Sequence, residues 1–324
     1  IQAVRSWWSR WGTGSQAQVG PVQASILAHL PLTLHQLDVS ECASLQEALR
    51  NAQRAQRRRE QAPAAQIREA NEIERKVLDQ LASLIRDNQE HQRFIWMRVQ
   101  SLIKRYGYRE DSILLELAQN ADDALSQSAE MERSELPDAP RRLIIRTSQQ
   151  SDVPTIDVIH YGRPINETGG AAFPEGQTRQ WDQDLYFMML LNLSGKPGEV
   201  SGQSAVASTT GRFGLGFKSV HLVSEKPSVV SGFLAFSIAG GLLPIEQPTP
   251  QDPDLVPVEG HQATRIRLPL RSDVDVPDLI DKMFKRFSYA RVLLPAFARE
   301  IREIIVEGGP SAGVSSFDGK NIAG

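Results

Sequence analysis

From Ile113 to Leu125 the apolar positions recur at helical spacing. Ile113, Leu114, Leu117, Ala118, Ala121 and Leu125 take one side. At about 100° per residue, Glu116, Asn120 and Asp123 share an adjoining arc of roughly 60°. The spacing predicts a helix with one face to bury and one face bearing oxygens. From about Ser44 to Arg105 helix formers dominate, and Pro63 predicts a break into two helices. Tyr106-Gly107-Tyr108 ends that stretch, and Asp111 or Ser112 suits the N-cap of the helix carrying Glu116.

Beyond Pro137 and Pro140 the period shortens to two. Arg142-Leu-Ile-Ile-Arg-Thr and Thr155-Ile-Asp-Val-Ile-His predict paired strands joined by a polar turn. Ser228-Val-Val-Ser, Phe233-Leu-Ala-Phe-Ser-Ile and Thr264-Arg-Ile-Arg-Leu-Pro-Leu predict three more. A helix follows over Asp278 to Tyr289, then a terminal strand over Arg299-Glu-Ile-Arg-Glu-Ile-Ile-Val-Glu. Helices layered on a sheet are the expected architecture. Residues 166 to 210 are rich in Gly, Ser, Thr and Gln around the apolar segment Leu185-Tyr-Phe-Met-Met-Leu-Leu, the pattern of a mobile cover over a site. The first 60 residues are less regular. Trp7, Trp8 and Trp11 crowd a polar segment, and the apolar patch from Ile26 to Leu37 is interrupted by Pro31; packing, or contact with sequence beyond this chain, is the favoured role. Gly308 to Gly324 reads as a flexible Gly/Ser-rich tail, and with the start at Ile1 it suggests a fragment of something longer.

Composition narrows the class. The 324 residues are 40% hydrophobic and 23% charged, ordinary for a chain that buries a real core in one large domain or two. A net charge of −3 argues against a dedicated nucleic-acid binder. Arg54, Arg57, Arg58 and Arg59 form a basic run, but Glu60, Glu72 and Glu74 lie close, so a solvated helical face is expected. One cysteine, Cys42, cannot pair within the chain, and no apolar run is long enough to cross a bilayer; a reducing, cytoplasmic setting without a membrane partner follows as the expectation.

Two stretches carry chemistry. A carboxylate, a carboxamide and a second carboxylate on successive turns, at Glu116, Asn120 and Asp123, can position a water, a divalent cation and a polar ligand group together. An ordinary wet helix face would look the same. Gly211, Gly214 and Gly216 crowd just ahead of a predicted helix, where backbone N–H groups favour an anion, or where a tight turn needs them. The segment is neither a Walker A loop, since Phe217 separates Gly216 from Lys218, nor a dinucleotide fingerprint, since Ser219 stands where glycine is required. Gly162, just past the second strand, permits a close backbone approach or a turn.

The order of these pieces resembles the GHKL superfamily of ATPases, which includes ninety-kilodalton heat-shock chaperones, type II topoisomerases, MutL proteins and histidine kinases. Glu116-Leu-Ala-Gln-Asn120-Ala-Asp-Asp123-Ala is similar to its first motif, and Gly211-Arg-Phe-Gly-Leu-Gly-Phe-Lys-Ser-Val to its glycine-rich third. Ser231-Gly-Phe-Leu-Ala-Phe, Ala263-Thr264-Arg-Ile-Arg-Leu-Pro-Leu and Leu293-Leu-Pro-Ala-Phe-Ala-Arg-Glu-Ile-Arg-Glu-Ile resemble the sacsin-like branch. The resemblance divides the chain into a helical N-terminal extension (1–90), an ATP-binding domain (91–307) and a tail (308–324).

The resemblance implies a Bergerat-type α/β two-layer sandwich, with a mixed, mostly antiparallel sheet covered by helices on one face. ATP would lie between the first-motif helix and the glycine-rich loop. Glu116 would be the base for the attacking water, Asn120 would bind Mg²⁺, and Asp123 would bond the nucleotide or its water shell. The stretch Gly211, Arg212, Phe213, Gly214, Leu215, Gly216, Phe217 and Lys218 would hold the phosphates, and Thr264 would join a water network at the adenine. The second motif normally reads Asp, any residue, Gly, its Asp accepting from the adenine amino group; here the positions are His160, Tyr161 and Gly162. Neutral His160, Asp157 or another group would read the base, or the pocket has weakened.

The expected function is a slow, Mg²⁺-dependent ATPase switch acting on a protein partner or further domains of its own chain, with a non-hydrolysing nucleotide-binding scaffold as the alternative. Relatives often form homodimers through segments outside the sandwich. A histidine kinase would need a phosphoacceptor, for which His91 is the candidate, although it lacks the proline usual a few residues later. An interaction protein built on the N-terminal helices is a further reading.

Overall fold

A computed structural model describes residues 16–131, 140–148, 153–191, 215–248, 250, 252, 255, 257–258, 261–309, 312–317 and 322–323. Five long helices come first: α1 (Gln16–Gln36), α2 (Ala43–Gln61), α3 (Ile67–Arg86), α4 (Gln89–Arg105) and α5 (Ile113–Met131). Pro63 separates α2 from α3 as its missing N–H requires. Asn88 starts α4 by accepting the His91 N–H, and Gly107, at φ +83°, ends the turn after it.

Two local expectations differ. Pro31 lies inside α1, where burial of Leu27, Leu30, Leu34 and Leu37 outweighs the bond the proline forfeits. Helix α5 is entered through a 3₁₀ turn, Glu110–Ser112, and neither expected cap acts as one. Ser112 Oγ donates to the Arg109 carbonyl at 2.8 Å, while the Asp111 carboxylate takes the guanidinium groups of Arg109 and Arg286.

The remaining elements are β1 (Arg142–Ser148), β2 (Thr155–His160), α6 (Glu175–Thr178), α7 (Asp184–Met189), α8 (Leu215–Lys218), β3 (Ser228–Ser231), β4 (Leu234–Ala239), β5 (Leu243–Glu246), β6 (Thr264–Pro269), α9 (Val276–Arg291), α10 (Leu294–Phe297), β7 (Glu303–Glu307), β8 (Gly313–Phe317) and β9 (Ile322–Ala323). The strands form one open sheet in the order β5-β4-β3-β6-β2-β1-β7-β8-β9, antiparallel except where β1 meets β7. The chain is thus mixed α/β. Residues 308–324, expected as a tail, contribute β8 and β9, because the edge of β7 offers unpaired backbone groups that Gly313 to Ser316 can satisfy.

Strand alternation gives the sheet two unlike faces. Leu143, Ile145, Ile156, Val158, Ile266, Ile304 and Val306 point to the helices and join one continuous apolar cluster, which also includes Ile26, Leu45, Leu81 and Ile95 of the N-terminal helices. That extension therefore shares the sheet's core. The opposite face carries charge. Glu307, Arg146, Asp157 and Arg267 stand side by side across four strands, with Arg146 paired to Glu307 at 2.5 Å and Arg267 to Asp157 at 2.7 Å. Among the described residues no helix is long and apolar enough to cross a membrane.

Candidate functional site

Helix α5 presents Glu116, Asn120 and Asp123 from one side, as its periodicity predicts. All three are half-buried. Burial pushes the Glu116 carboxyl up, and the Asp123 carboxyl too, although the Arg299 guanidinium at 3.8 Å opposes the latter shift. Asn120 Nδ2 is buried without a hydrogen-bond partner, a state that in a settled structure calls for a missing partner. Asp122 points elsewhere and is structural: its carboxylate accepts the backbone N–H groups of Arg299, Glu300 and Ile301 at 2.8–3.0 Å.

Two glycines bring other elements to this face. A β-carbon on Gly162 would lie 2.5 Å from the Ala124 carbonyl carbon and 2.5 Å from the Leu125 nitrogen, so only glycine lets the end of β2 rest on α5. The Arg163 N–H donates to the Ala124 carbonyl at 2.9 Å, fastening the same contact. A β-carbon on Gly216, in α8, would come within 2.6 Å of Glu116 Oε2. The last glycine of the glycine-rich stretch thus abuts the Glu116 carboxylate, a hundred positions earlier in the chain. Gly211, Arg212, Phe213 and Gly214 lie outside the described residues, as does the side chain of Leu215.

A polar row closes the third side. His160, Thr264 and Ser231 are direct cross-strand neighbours on β2, β6 and β3, and all three are buried. His160 shares the helix-side face with Val158 and Ile156. Its Nδ1 accepts the Gly162 N–H at 3.2 Å, and burial lowers its pKa to about 4, so the ring is neutral. Ser231 Oγ lies 2.6 Å from Thr264 Oγ1 and accepts the Ile165 N–H at 2.9 Å. Ser231 was not among the expected site residues; only strand register reveals it, because the sequence does not say which residue faces Thr264.

Several expected members stand elsewhere. Tyr161 points to the opposite face of the sheet, packs with Ile159 and Ala263, and lies under the Arg142 guanidinium at 5.1 Å; strand alternation forbids it from sharing a site with His160. Asp157 is on that same far face, with both carboxylate oxygens taken by Arg267, so it does not read a base on the helix side. Phe217 is a fully buried core residue. Lys218 is also fully buried, its Nζ donating to the Gly241 carbonyl at 2.7 Å, and burial lowers its pKa to about 7. Its ammonium faces the interior rather than the Glu116 side. His91 has both ring nitrogens engaged, with Ser44 Oγ at 2.8 Å and the Leu84 carbonyl at 3.1 Å, and is a structural histidine.

The segment after β2 is tied down by a buried hub. Arg163 reaches Asp184 Oδ2 at 2.6 Å, Gln127 Oε1 at 2.8 Å and the Glu167 carbonyl at 2.6 Å, with its guanidinium 4.4 Å from the Trp181 ring centroid. Tyr186 of α7 meets His29 of α1 at 3.0 Å. Residues 166–191, expected as part of a mobile cover, are therefore anchored to α5 and α1; 192–210 lie outside the described residues.

Among the described residues no group of three or more His, Cys, Asp or Glu side chains could hold a metal ion. A cation here would draw on one amide, one carboxylate and the oxygens of its ligand, the coordination Mg²⁺ accepts at phosphates. The orphaned Asn120 Nδ2 is a donor and suits an anionic oxygen of that ligand rather than the cation itself, while Glu116 Oε2 lies against Gly216. No protein-family model matches the chain, and no curated protein matches it.

Proposed function

We propose that the chain is a nucleotide-binding module of Bergerat type that takes a purine nucleoside triphosphate, ATP by the resemblance, with Mg²⁺, and hydrolyses it slowly as a conformational switch for a protein partner or neighbouring domains. The observation that carries this reading is the contact of Gly216 with the Glu116 carboxylate. It sets one glycine of the glycine-rich stretch beside the acidic helix face, the neighbourhood in which this reading would hold a triphosphate. The sheet covered by helices on one face, and the close approach of Gly162 to α5, support it further.

In this reading Glu116 orients the attacking water and takes its proton, and the upward push on its carboxyl brings it nearer the strength of a useful base at neutral pH. Asn120 holds the metal through its amide oxygen, which Mg²⁺ complements by offsetting phosphate charge. Asp123 bonds the nucleotide or its water. The N–H groups around Gly216 receive the phosphates, and Thr264 and Ser231 order water at the base.

A binding-only scaffold is the second reading, favoured by the inward turn of Lys218 and by His160 at the usual Asp position. Hydrolysis and melting shift in the wild type and in Glu116→Ala separate the two. The switch reading expects slow turnover that the substitution abolishes while the Mg²⁺-nucleotide melting shift survives. A shift without turnover in either protein leaves the scaffold. No shift with any nucleoside triphosphate overturns both.

A further inference from the structure

The hydrogen-bonding capacity of His160 is fixed by its neighbours. Its Nδ1 is occupied by the Gly162 N–H, and the other neutral tautomer would set an Nδ1–H against that same N–H. The Gly162 amide cannot swing aside, because its Cα is pressed against the α5 backbone. The ring proton therefore resides on Nε2, which has no hydrogen-bond partner among the described residues. The usual carboxylate accepts through two oxygens. This imidazole only donates.

Among the described residues the acceptors left beside it are the Thr264 and Ser231 hydroxyl oxygens, and no carboxylate joins them. The Asp157 carboxylate is on the far face with Arg267. Ser231 and Thr264 bond to each other, which leaves one hydroxyl hydrogen and spare lone pairs whichever of them donates. A 6-amino group placed at His160 would meet N–H with N–H. A 6-oxo group would meet a donor.

The geometry points to a base site that selects a 6-oxopurine nucleotide, such as a guanosine or inosine triphosphate, over an adenosine one, with His160 Nε2 donating to the oxo oxygen and the base's N1–H turning to the Thr264 oxygen or a water. The inference rests on the nucleotide reading above for the place of the base and departs from it on which base is held. One buried donor left facing another weakens binding by roughly tenfold or more.

Calorimetric titration of the full chain with ATP, GTP and ITP in Mg²⁺ tests it. ITP shares the oxo group with GTP but lacks the 2-amino group, so it isolates the contact. ITP or GTP is expected to bind about tenfold tighter than ATP, and His160→Asp to reverse the order. A comparison that needs no variant sets ITP against purine riboside triphosphate, which has no 6-substituent; a loss of about tenfold is expected with the unaltered chain. ATP binding tightest, or all bases binding alike, overturns the inference and leaves the nucleotide reading standing. Failure of every triphosphate to bind overturns both.

Discussion

Gly162 and Gly216 both make room at the site, yet substitution should act on them in opposite ways. At Gly162 the obstruction is helix backbone, which cannot yield. Gly162→Ala is expected to lower stability by about 2 kcal/mol or more, read as a fall in the urea midpoint. At Gly216 the obstruction is the tip of the Glu116 side chain, which can rotate away. Gly216→Ala should leave the melting temperature unchanged or raise it, since alanine is favoured in a helix by about 1 kcal/mol. The displaced carboxylate should nonetheless cut turnover at least tenfold; unaltered turnover would detach Glu116 from the chemistry. The acidic face of α5 was readable from spacing alone. Lys218 was not, although its direction follows from simple geometry. Two residues along a helix turn about 200°, so with Gly216 toward Glu116 the lysine must face the core. The tautomer of His160 was hidden for another reason: it depends on an amide held by a helix that the sequence does not place.

Among elements, the link between β2 and α7 depends on Arg163. Its guanidinium and the Asp184 carboxylate are both buried, and Asp184 Oδ2 also accepts the Asn166 N–H at 3.1 Å. Arg163→Leu would strand that carboxylate without its cation and is expected to cost about 3–5 kcal/mol. Asp184→Asn, which keeps the shape, should cost less. Equal midpoints for the two variants in urea would contradict this account. The long helices and the central strands were legible because their periodicity is sustained. Short edge strands were not. In β5, Leu243-Pro-Ile-Glu, the proline reads as a break, and it is tolerated because the strand lies at the sheet's edge. The final strands β8 and β9 were masked by glycines whose composition suggested a tail.

Across the molecule, three buried bases bias stability toward high pH. Burial lowers His160 to about 4, lowers His221 to about 3 with Lys218 adding to the effect, and lowers Lys218 to about 7. The unfolded chain holds more protons than the native one wherever pH lies between each native pKa and its unfolded value. Stability therefore falls as pH drops below the ordinary histidine range, about 6.5, and climbs as pH rises from about 7 toward the ordinary lysine value, about 10.4. These three groups should raise the melting temperature between about pH 5 and 6.5 and again from about pH 7 toward 10, with the raised carboxyls of Glu116 and Asp123 opposing at the acid end. Lys218→Met should flatten the alkaline part of that rise while leaving the acid part; a flat profile in the unaltered chain would refute it.

The pairing of β2 with β6 has a consequence for biosynthesis. Strand β2, ending at His160, joins a partner that begins only at Thr264, and β1 waits still longer for β7. On the ribosome α1 to α5 emerge before the strands, with apolar stripes made for a platform that has not yet been translated. Until Thr264 to Pro269 leaves the exit tunnel the sheet lacks the strand that joins β2 to β3, so the nascent chain up to that point is a form that exposes apolar surface to a chaperone.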